Sequence, residues 1–160
     1  MQPFVTAETI AEHVGEEVVL RGWVYNRTHK GKLVFLLIRD GYGYVQCVAF
    51  EGDLDAELFD TLAHIPQESS VYVTGVVRAD DRAPGIPGGY ELGVTDCSIV
   101  QAPEDEYPIA LKEHGVDFLL DHRHLWLRMP SQWAVLRVRA TVIRAIRDWL
   151  DSNGFLNVDT

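Results

Sequence analysis

The 160-residue chain is 47% apolar and 10% aromatic, a balance typical of a folded globular protein and not of a disordered one. A membrane span needs about 18 consecutive apolar residues, and the sequence has no such run. The first residues, MQPFVTAETIAEH, have neither the basic start nor the apolar core of a signal peptide. The composition therefore predicts a cytoplasmic protein with no membrane partner.

The net charge of −10 is distributed unevenly along the chain. Residues 15–50 carry five basic against three acidic side chains, whereas residues 51–116 carry three against fourteen. Phosphate contacts are usually supplied by an excess of Lys and Arg, so the total charge alone argues against a nucleic-acid partner. If a polyanion binds, we expect it on the surface formed by residues 15–50.

Five runs rich in β-branched and aromatic residues predict strands. The first three, EVVLRGWVY (17–25), LVFLLIR (33–39) and YVQCVAF (44–50), are separated by the turn-rich gaps THKGK and DGYG. This spacing predicts an antiparallel meander. Two further strands, 71–78 and 90–100, are joined by the loop ADDRAPGIPGG.

A short helix is predicted between the third and fourth strands. In DLDAELFDTLAHI (53–65) leucine and isoleucine recur at spacings of three and four, and Pro66 follows. Three strands, a helix and two strands within about 100 residues is the order of a five-stranded OB-fold barrel with its helix between strands three and four. Other small barrels share this order. The predicted fold is therefore an all-β OB-fold barrel, followed by a linker and an α-helix.

The remainder of the chain differs in kind from the strand region. QAPEDEYP (101–108) is an acidic, proline-bearing linker, and VLRVRATVIRAIRDWLDSNG (135–154) has the apolar stripe of one long helix, followed by a short strand, FLNVDT. That helix has no domain of its own in which to bury the stripe, so we expect it to pack on another domain or subunit. The predicted organisation is a barrel domain at 1–101, a hinge at 102–128, and the start of a second domain at 129–160.

Phe35 and Gln46 are the first candidates for binding single-stranded nucleic acid. Such a barrel needs an exposed aromatic ring for stacking and a polar side chain that reads base edges. Side chains alternate along a strand, so the two residues stand near each other if the outer faces of 33–39 and 44–50 coincide. Stacking of this kind contributes about 1–3 kcal/mol per base. The alternative is that Phe35 belongs to the core and Gln46 is a half-exposed strand residue.

The cysteines and histidines predict no metal site. Cys47 and Cys97 are 50 positions apart within apolar runs, which favours buried, reduced thiols. His114, His122 and His124 lack a second ligand pair at a metal-binding spacing, so we expect them to pack or to hydrogen-bond. No catalytic pair or triad of side chains can be inferred from the pattern.

The stretch RGWVYNRTHKGKLVFLLIRDGYGYVQCV (21–48) is similar to the anticodon-binding barrel of the class II aminoacyl-tRNA synthetases for aspartate, asparagine and lysine. The shared pattern is a GWV strand, a basic turn, an F-x-x-hydrophobic-R-D strand and a V-Q strand. The resemblance implies that Phe35 stacks on the middle uridine of the anticodon and that Gln46 reads its edge. It also implies that Arg27, the basic residue after GWV, contacts the anticodon.

Three further positions are weaker candidates for anticodon binding. Aspartyl members often have several arginines after GWV, whereas this chain has YNRTH, so Asn26 and Thr28 lie where the family places contacts but have no assigned role. Glu91 occupies a position on the fifth strand where the family often has glutamate. Its alternative role is that of a solvated strand carboxylate.

The second half of the chain resembles the asparaginyl members of this family. YPIALKEHGVDFLLDHRHLWLR (107–128) is similar to their hinge, and the helix at 131–153 with GFLNVDT resembles motif 1, a dimer-interface helix and strand. The resemblance implies a homodimer through 131–153 and, for a complete protein, the partners tRNA(Asn), asparagine, ATP and Mg²⁺. The proline that ends motif 1 and the whole of motifs 2 and 3 are absent. We therefore expect these 160 residues to bind tRNA without charging it, with no catalytic residue or cofactor of their own.

Two alternatives stay open from the sequence. One is an aspartyl enzyme, including one that charges both tRNA(Asp) and tRNA(Asn), because the middle uridine is common to both. The other is a freestanding OB-fold module that binds single strands or serves as a protein scaffold. The long apolar-striped helix argues against the second alternative, since a freestanding module has no use for half an interface.

Overall fold

The computed structural model describes residues 2–110 and 112–158. The chain forms two compact units, Met1–Tyr107 and Pro108–Thr160. The acidic segment that follows the last strand therefore belongs to the same unit as the strands.

The first unit contains a seven-stranded sheet within its described residues, two strands more than the sequence predicts. The strands are β1 (Phe4–Val5), β2 (Glu17–Lys30), β3 (Leu33–Arg39), β4 (Tyr44–Phe50), β5 (Ser70–Ala79), β6 (Gly85–Ile86) and β7 (Tyr90–Gln101). The five-strand prediction was incomplete because β1 and β6 have two residues each, too few to show any alternation. A short 3-10 helix, Ile10–His13, precedes β2.

The five long strands pair in a closed circuit. β2, β3 and β4 form the predicted antiparallel meander. β4 then pairs in parallel with β7, β7 pairs antiparallel with β5, and β5 returns to pair antiparallel with β2. The sheet therefore has one face turned inwards along its whole length and one turned outwards.

The core fills the inward face of this circuit. Alternate residues of each long strand are buried, as with Val34, Leu36 and Ile38 of β3, which are 0–1% exposed. The intervening Leu33, Phe35 and Leu37 are only half-buried, although they are equally apolar. Hydrophobicity alone does not separate the two faces of β3, whereas the pairing with its neighbours does.

One helix of the first unit, α1 (Ala56–His64), follows β4 and precedes β5 in the chain. Its N-terminus is capped by the carboxylate of Asp55, which accepts hydrogen bonds from the backbone N–H groups of Glu57 at 2.7 Å and Leu58 at 3.3 Å. Capping of this kind stabilises a helix by about 1 kcal/mol. Phe59 and Leu62 are buried from α1 into the core.

The second unit is helical, with α2 (Val116–Asp121), α3 (Arg123–Trp126) and α4 (Pro130–Ser152). The apolar stripe of α4 is solvent-exposed: Val135, Val138, Val142, Ile146 and Trp149 are 50–65% exposed. The strand predicted at FLNVDT is wrong for residues 155–158, which have no regular structure because no neighbouring strand pairs with them. The last two residues of that predicted strand lie outside the described residues. No helix in the described part of the chain is long and apolar enough to cross a bilayer.

Two of the three histidines predicted to pack or to hydrogen-bond, His114 and His122, do so. The rings of His114 and His122 lie 4.8 and 4.4 Å from the ring of Phe118. His114 pairs with the carbonyl oxygen of Ala110 and His122 with that of Phe118. Within residues 2–110 and 112–158, no group of three metal-ligating side chains comes together.

Both cysteines are free thiols, as predicted. Cys47 is fully buried on β4, and burial raises its pKa well above the ordinary range. Burial also raises the pKa of Cys97, on β7, to about 12. Both groups are therefore protonated at neutral pH. Cys47 is a small core side chain, whereas Cys97 is only partly buried against the core.

Candidate nucleic-acid interface

The outward face of β3 and β4 brings Phe35 and Gln46 onto one surface. Phe35 pairs with Val48 across the two strands, and Leu37 pairs with Gln46. Directly paired residues project from the same face of a sheet, so the phenylalanine ring and the amide are diagonal neighbours, about 7–8 Å apart at their backbones. Both side chains are half-buried, which leaves one side of each accessible. The surface combines an aromatic platform with a group that can donate and accept hydrogen bonds.

Glu91 belongs to this surface as well. It lies on β7 opposite Gln46, and Nε2 of Gln46 donates a hydrogen bond to Oε2 of Glu91 at 3.2 Å. The carboxylate therefore faces the amide nitrogen and turns the amide oxygen away from itself. The second N–H of Gln46 and its oxygen are then left for a ligand. Only the parallel pairing of β4 with β7 brings these residues together, and that pairing has no signature in the local sequence.

Asn26 and Thr28 also reach the outward face. On β2, Asn26 pairs with Leu37 and Thr28 with Phe35. Strict alternation from Trp23 would turn these two positions inwards. A β-bulge between Val24 and Asn26 adds one residue to β2 and so reverses the alternation beyond it.

Arg27 is directed to the opposite face by the same bulge. It pairs with the buried Leu36, and its guanidinium donates to the carbonyl oxygen of Ala63 in the last turn of α1. The final carbonyl groups of a helix lack partners within the helix and carry partial negative charge, so a cation is stabilised there. Of the six candidates, Arg27 alone is separated from the Phe35 surface.

A buried ion pair holds the bulge in place. Arg39 donates two hydrogen bonds to the carboxylate of Glu68, from Nη1 at 2.9 Å and from Nη2 at 2.8 Å. The Arg39 and Glu68 side chains are only 14% and 4% exposed. The backbone N–H of Glu68 donates to the carbonyl oxygen of Val24, and Ser69 accepts from the N–H of Val24. The loop before β5 is thereby fixed to β2 at the bulge, and no motif of the sequence indicates Glu68.

Two tyrosines cover this ion pair beside Gln46. The rings of Tyr25 and Tyr44 meet edge to face, with centroids 4.8 Å apart. Burial raises the pKa of both hydroxyl groups, while the Arg39 cation opposes that shift. The phenols are therefore neutral donors at physiological pH, at the border of the surface formed by Phe35 and Gln46.

An open cavity of about 430 Å³ lies beside Asn26. Its walls are the end of β2, the segment after α1, and the acidic segment after β7. The lining residues are Asn26, Arg27, His64, Ile65, Pro66, Gln67, Pro103, Glu104, Asp105, Glu106 and Tyr107. Three carboxylates, those of Glu104, Asp105 and Glu106, thus line the same cavity as Arg27, and their negative charge opposes phosphate binding there.

Two family models match the chain. The model described as an OB-fold nucleic acid binding domain matches residues 18–100, and the model described as class II tRNA synthetases (D, K and N) matches residues 115–160.

Proteins similar to this chain include several named asparagine–tRNA ligase. That of Chloroflexus aurantiacus is 52% identical over 158 residues, which are 99% of this chain and 35% of the relative. That of Thermus thermophilus is 48% identical over 155 residues, again 35% of its length. The crystal structure of asparaginyl-tRNA synthetase from Pyrococcus horikoshii, complexed with asparaginyl-adenylate, is 38% identical with a TM-score of 0.88 over 99% of this chain and 36% of that one. The chain spans about a third of the length of the curated relatives it matches. Because the OB-fold model covers just over half of the chain, the chain belongs to the family of OB-fold nucleic acid binding domains.

Proposed function

We propose that this chain is the anticodon-recognising part of an asparagine–tRNA ligase. In its complete form, such an enzyme activates asparagine with ATP and transfers it through an aminoacyl-adenylate to tRNA(Asn). The observation that carries the proposal is the accessible side of the half-buried Phe35 ring beside the oriented amide of Gln46, on one outward face. The similar ligases named above favour asparagine as the amino acid.

The anticodon would bind through its middle uridine. The base stacks on Phe35, a contact worth about 1–3 kcal/mol. The base edge meets the free N–H and the oxygen of Gln46, which suit a pyrimidine that offers both an acceptor and a donor. Glu91 holds the amide in one orientation, and Asn26 and Thr28 border the base on the β2 side. Arg27 has a lesser role at the rim, where it and Asn26 line the open cavity.

In this proposal the closed circuit of five long strands is the anticodon-binding barrel, with α1 inserted between its third and fourth strands. The strand pairings support a barrel because they return from β5 to β2. An OB barrel leaves one face of its central strands accessible to a single strand of nucleic acid. β1 and β6 then act as short extensions at its edges.

The exposed stripe of α4 would form a homodimer contact in the complete ligase. Five large apolar side chains at helical spacing are a surface that normally packs on another element. The match of residues 115–160 to class II synthetases supports this over a freestanding module. ATP, Mg²⁺ and asparagine would be bound outside the described barrel, and such a ligase would work in the cytoplasm.

Binding of an anticodon stem-loop RNA of tRNA(Asn) tests the proposal. Phe35→Ala and Gln46→Ala should each weaken binding by about 1–3 kcal/mol, and changing the middle uridine to cytidine should weaken binding to the unaltered chain. Phe4→Ala is the matched control, because it removes a phenylalanine ring that is even more accessible, 56% exposed, but lies on β1. If the chain binds both loops with equal affinity, the proposed function is wrong.

A further inference from the structure

Arg78 is a cation on the outward face that the proposed interface has not yet used. It lies near the end of β5 and pairs with Glu91, which in turn pairs with Gln46 on β4. Leu37, Gln46, Glu91 and Arg78 therefore form one row of paired residues across β3, β4, β7 and β5. We propose that Arg78 is a further RNA-binding residue, which holds a phosphate group of the nucleotide whose base stacks on Phe35. This inference rests on the proposed function and adds a backbone contact to it.

The guanidinium of Arg78 lies flat on Gly93. A Cβ atom at position 93 would be 2.8 Å from Cζ, 3.0 Å from Nη2 and 3.1 Å from Nε of Arg78. Three nearly equal distances mean that the planar group faces the glycine rather than pointing at it. Gly93 does not have the positive φ that calls for glycine, unlike Gly85 and Gly89. The missing side chain at position 93 therefore makes room for the guanidinium.

The five N–H donors of this guanidinium are available to a ligand. Among residues 2–110 and 112–158, the side chain of Arg78 has no hydrogen-bond or ion-pair partner, and it is exposed. Its neighbour Glu91 is engaged by Gln46. By contrast, Arg39 is bound to Glu68 and Arg82 to Asp80. A fixed planar cation with unused donors matches the bidentate geometry of a phosphate group.

The position of Arg78 fits a phosphate next to the stacked base. Phe35, Val48 and Gly93 form one row across β3, β4 and β7. Adjacent strands are about 4.8 Å apart, so the guanidinium over Gly93 is roughly 10 Å from the backbone of Phe35. A nucleotide whose base lies on the ring extends its sugar and phosphate over such a distance. Since Gln46 reads the base edge, Arg78 contributes charge and not sequence selection.

The salt dependence of binding separates a phosphate contact from a base contact. We would titrate the 160-residue chain with the anticodon stem-loop RNA between about 50 and about 300 mM salt. Loss of one phosphate contact lowers the slope of log K against log salt by about 0.7 for a single strand. Arg78→Ala should show that change and about tenfold weaker binding. The preference for uridine over cytidine at the middle position should stay the same.

Two further variants complete the test. Arg21→Ala removes the same charge from β2, where the guanidinium lies over the ring of Phe4, and should leave the slope unchanged. Gly93→Ala keeps Arg78 but displaces its guanidinium, and should reproduce the Arg78→Ala slope. If Gly93→Ala does not fold, judged by circular dichroism, Arg78→Ala decides alone.

The outcomes distinguish the two proposals. If Phe35→Ala weakens binding but Arg78→Ala leaves the slope unchanged, the assignment of Arg78 is wrong and the anticodon interface stands. If Arg78→Ala alters the preference for the middle base, Arg78 contacts a base and the phosphate assignment is also wrong. If Phe35→Ala leaves binding unchanged, the interface itself fails.

Discussion

Replacement of Glu68 by alanine should destabilise the first unit by about 3–5 kcal/mol. The change leaves the Arg39 guanidinium buried without its carboxylate, and removing one partner of a buried ion pair is costly by that amount. The Arg39 side chain is 14% exposed and both of its hydrogen bonds to Glu68 are short, so little solvent replaces the lost contact.

The backbone at Glu68 allows a finer comparison. Its φ of 65° lies in the left-handed region, which costs a non-glycine residue about 1–2 kcal/mol. Glycine removes that cost, but it also increases the conformational entropy of the unfolded chain, which lowers the folding stability by about 0.4–1 kcal/mol. Glu68→Gly should therefore be more stable than Glu68→Ala by about 0.5–1 kcal/mol, although both lose the ion pair.

Urea unfolding followed by circular dichroism measures these differences. Glu8→Ala changes an exposed glutamate and should stay within about 0.5 kcal/mol of the unaltered chain. Arg39→Met combined with Glu68→Ala should lose less than the sum of the two single changes, because the double variant has no unpaired buried charge. Additive losses, or a Glu68→Ala variant as stable as Glu8→Ala, would refute the view that this pair holds the bulge.

Two further predictions concern titratable groups. The thiol pKa is raised at Cys47 and reaches about 12 at Cys97. In the folded chain at pH 8, both thiols should therefore resist alkylation by iodoacetamide, and both should react after unfolding. Rapid labelling of the folded chain would contradict these raised pKa values. The hydrogen bonds from Arg82 lower the pKa of Asp80 to about 2, so this carboxylate favours folding above its ordinary pKa of 3.8 and loses that effect as the pH falls through about 2. NMR titration should show the Asp80 pKa rising towards 3.8 in Arg82→Ala, and an unchanged pKa would rule out the pair as its cause.

The order of the long strands and of α1 could be predicted from the sequence because the apolar residues of most of these elements recur at the spacing of a strand or a helix. Buried strand residues such as Val18 and Leu20 alternate with residues that are less buried, and α1 repeats its apolar residues at helical spacing. The composition of β3 predicts a strand, but its two faces are equally apolar, so full burial of Leu36 and only partial burial of Leu37 depend on the neighbouring strands. The two-residue strands β1 and β6 exist only through their partners.

The candidate site was predictable where it depends on one strand and unpredictable where it depends on several. The shared face of Phe35 and Gln46 follows from alternation within a meander. The position of Arg27 on the face opposite Phe35 does not, because the bulge that causes it is fixed by Glu68, more than 40 residues further along the chain. Contacts of this separation arise from tertiary pairing and leave no local pattern. The partnership of Glu91 with Gln46 is hidden for the same reason.

The hydrogen bond between Gln46 and Glu91 fixes the orientation of the Gln46 side-chain amide, whose nitrogen and oxygen ends have nearly the same shape. A free amide can rotate by half a turn, exchange its donor and acceptor, and so match either uracil or cytosine, whose edges offer these functions in opposite order. Rotation here would turn the amide oxygen towards a carboxylate oxygen, and the two would repel. In the proposed anticodon interface, this carboxylate would therefore fix the orientation of the Gln46 amide. A chain with Gln46 but without Glu91 would still bind the anticodon but would no longer distinguish uracil from cytosine.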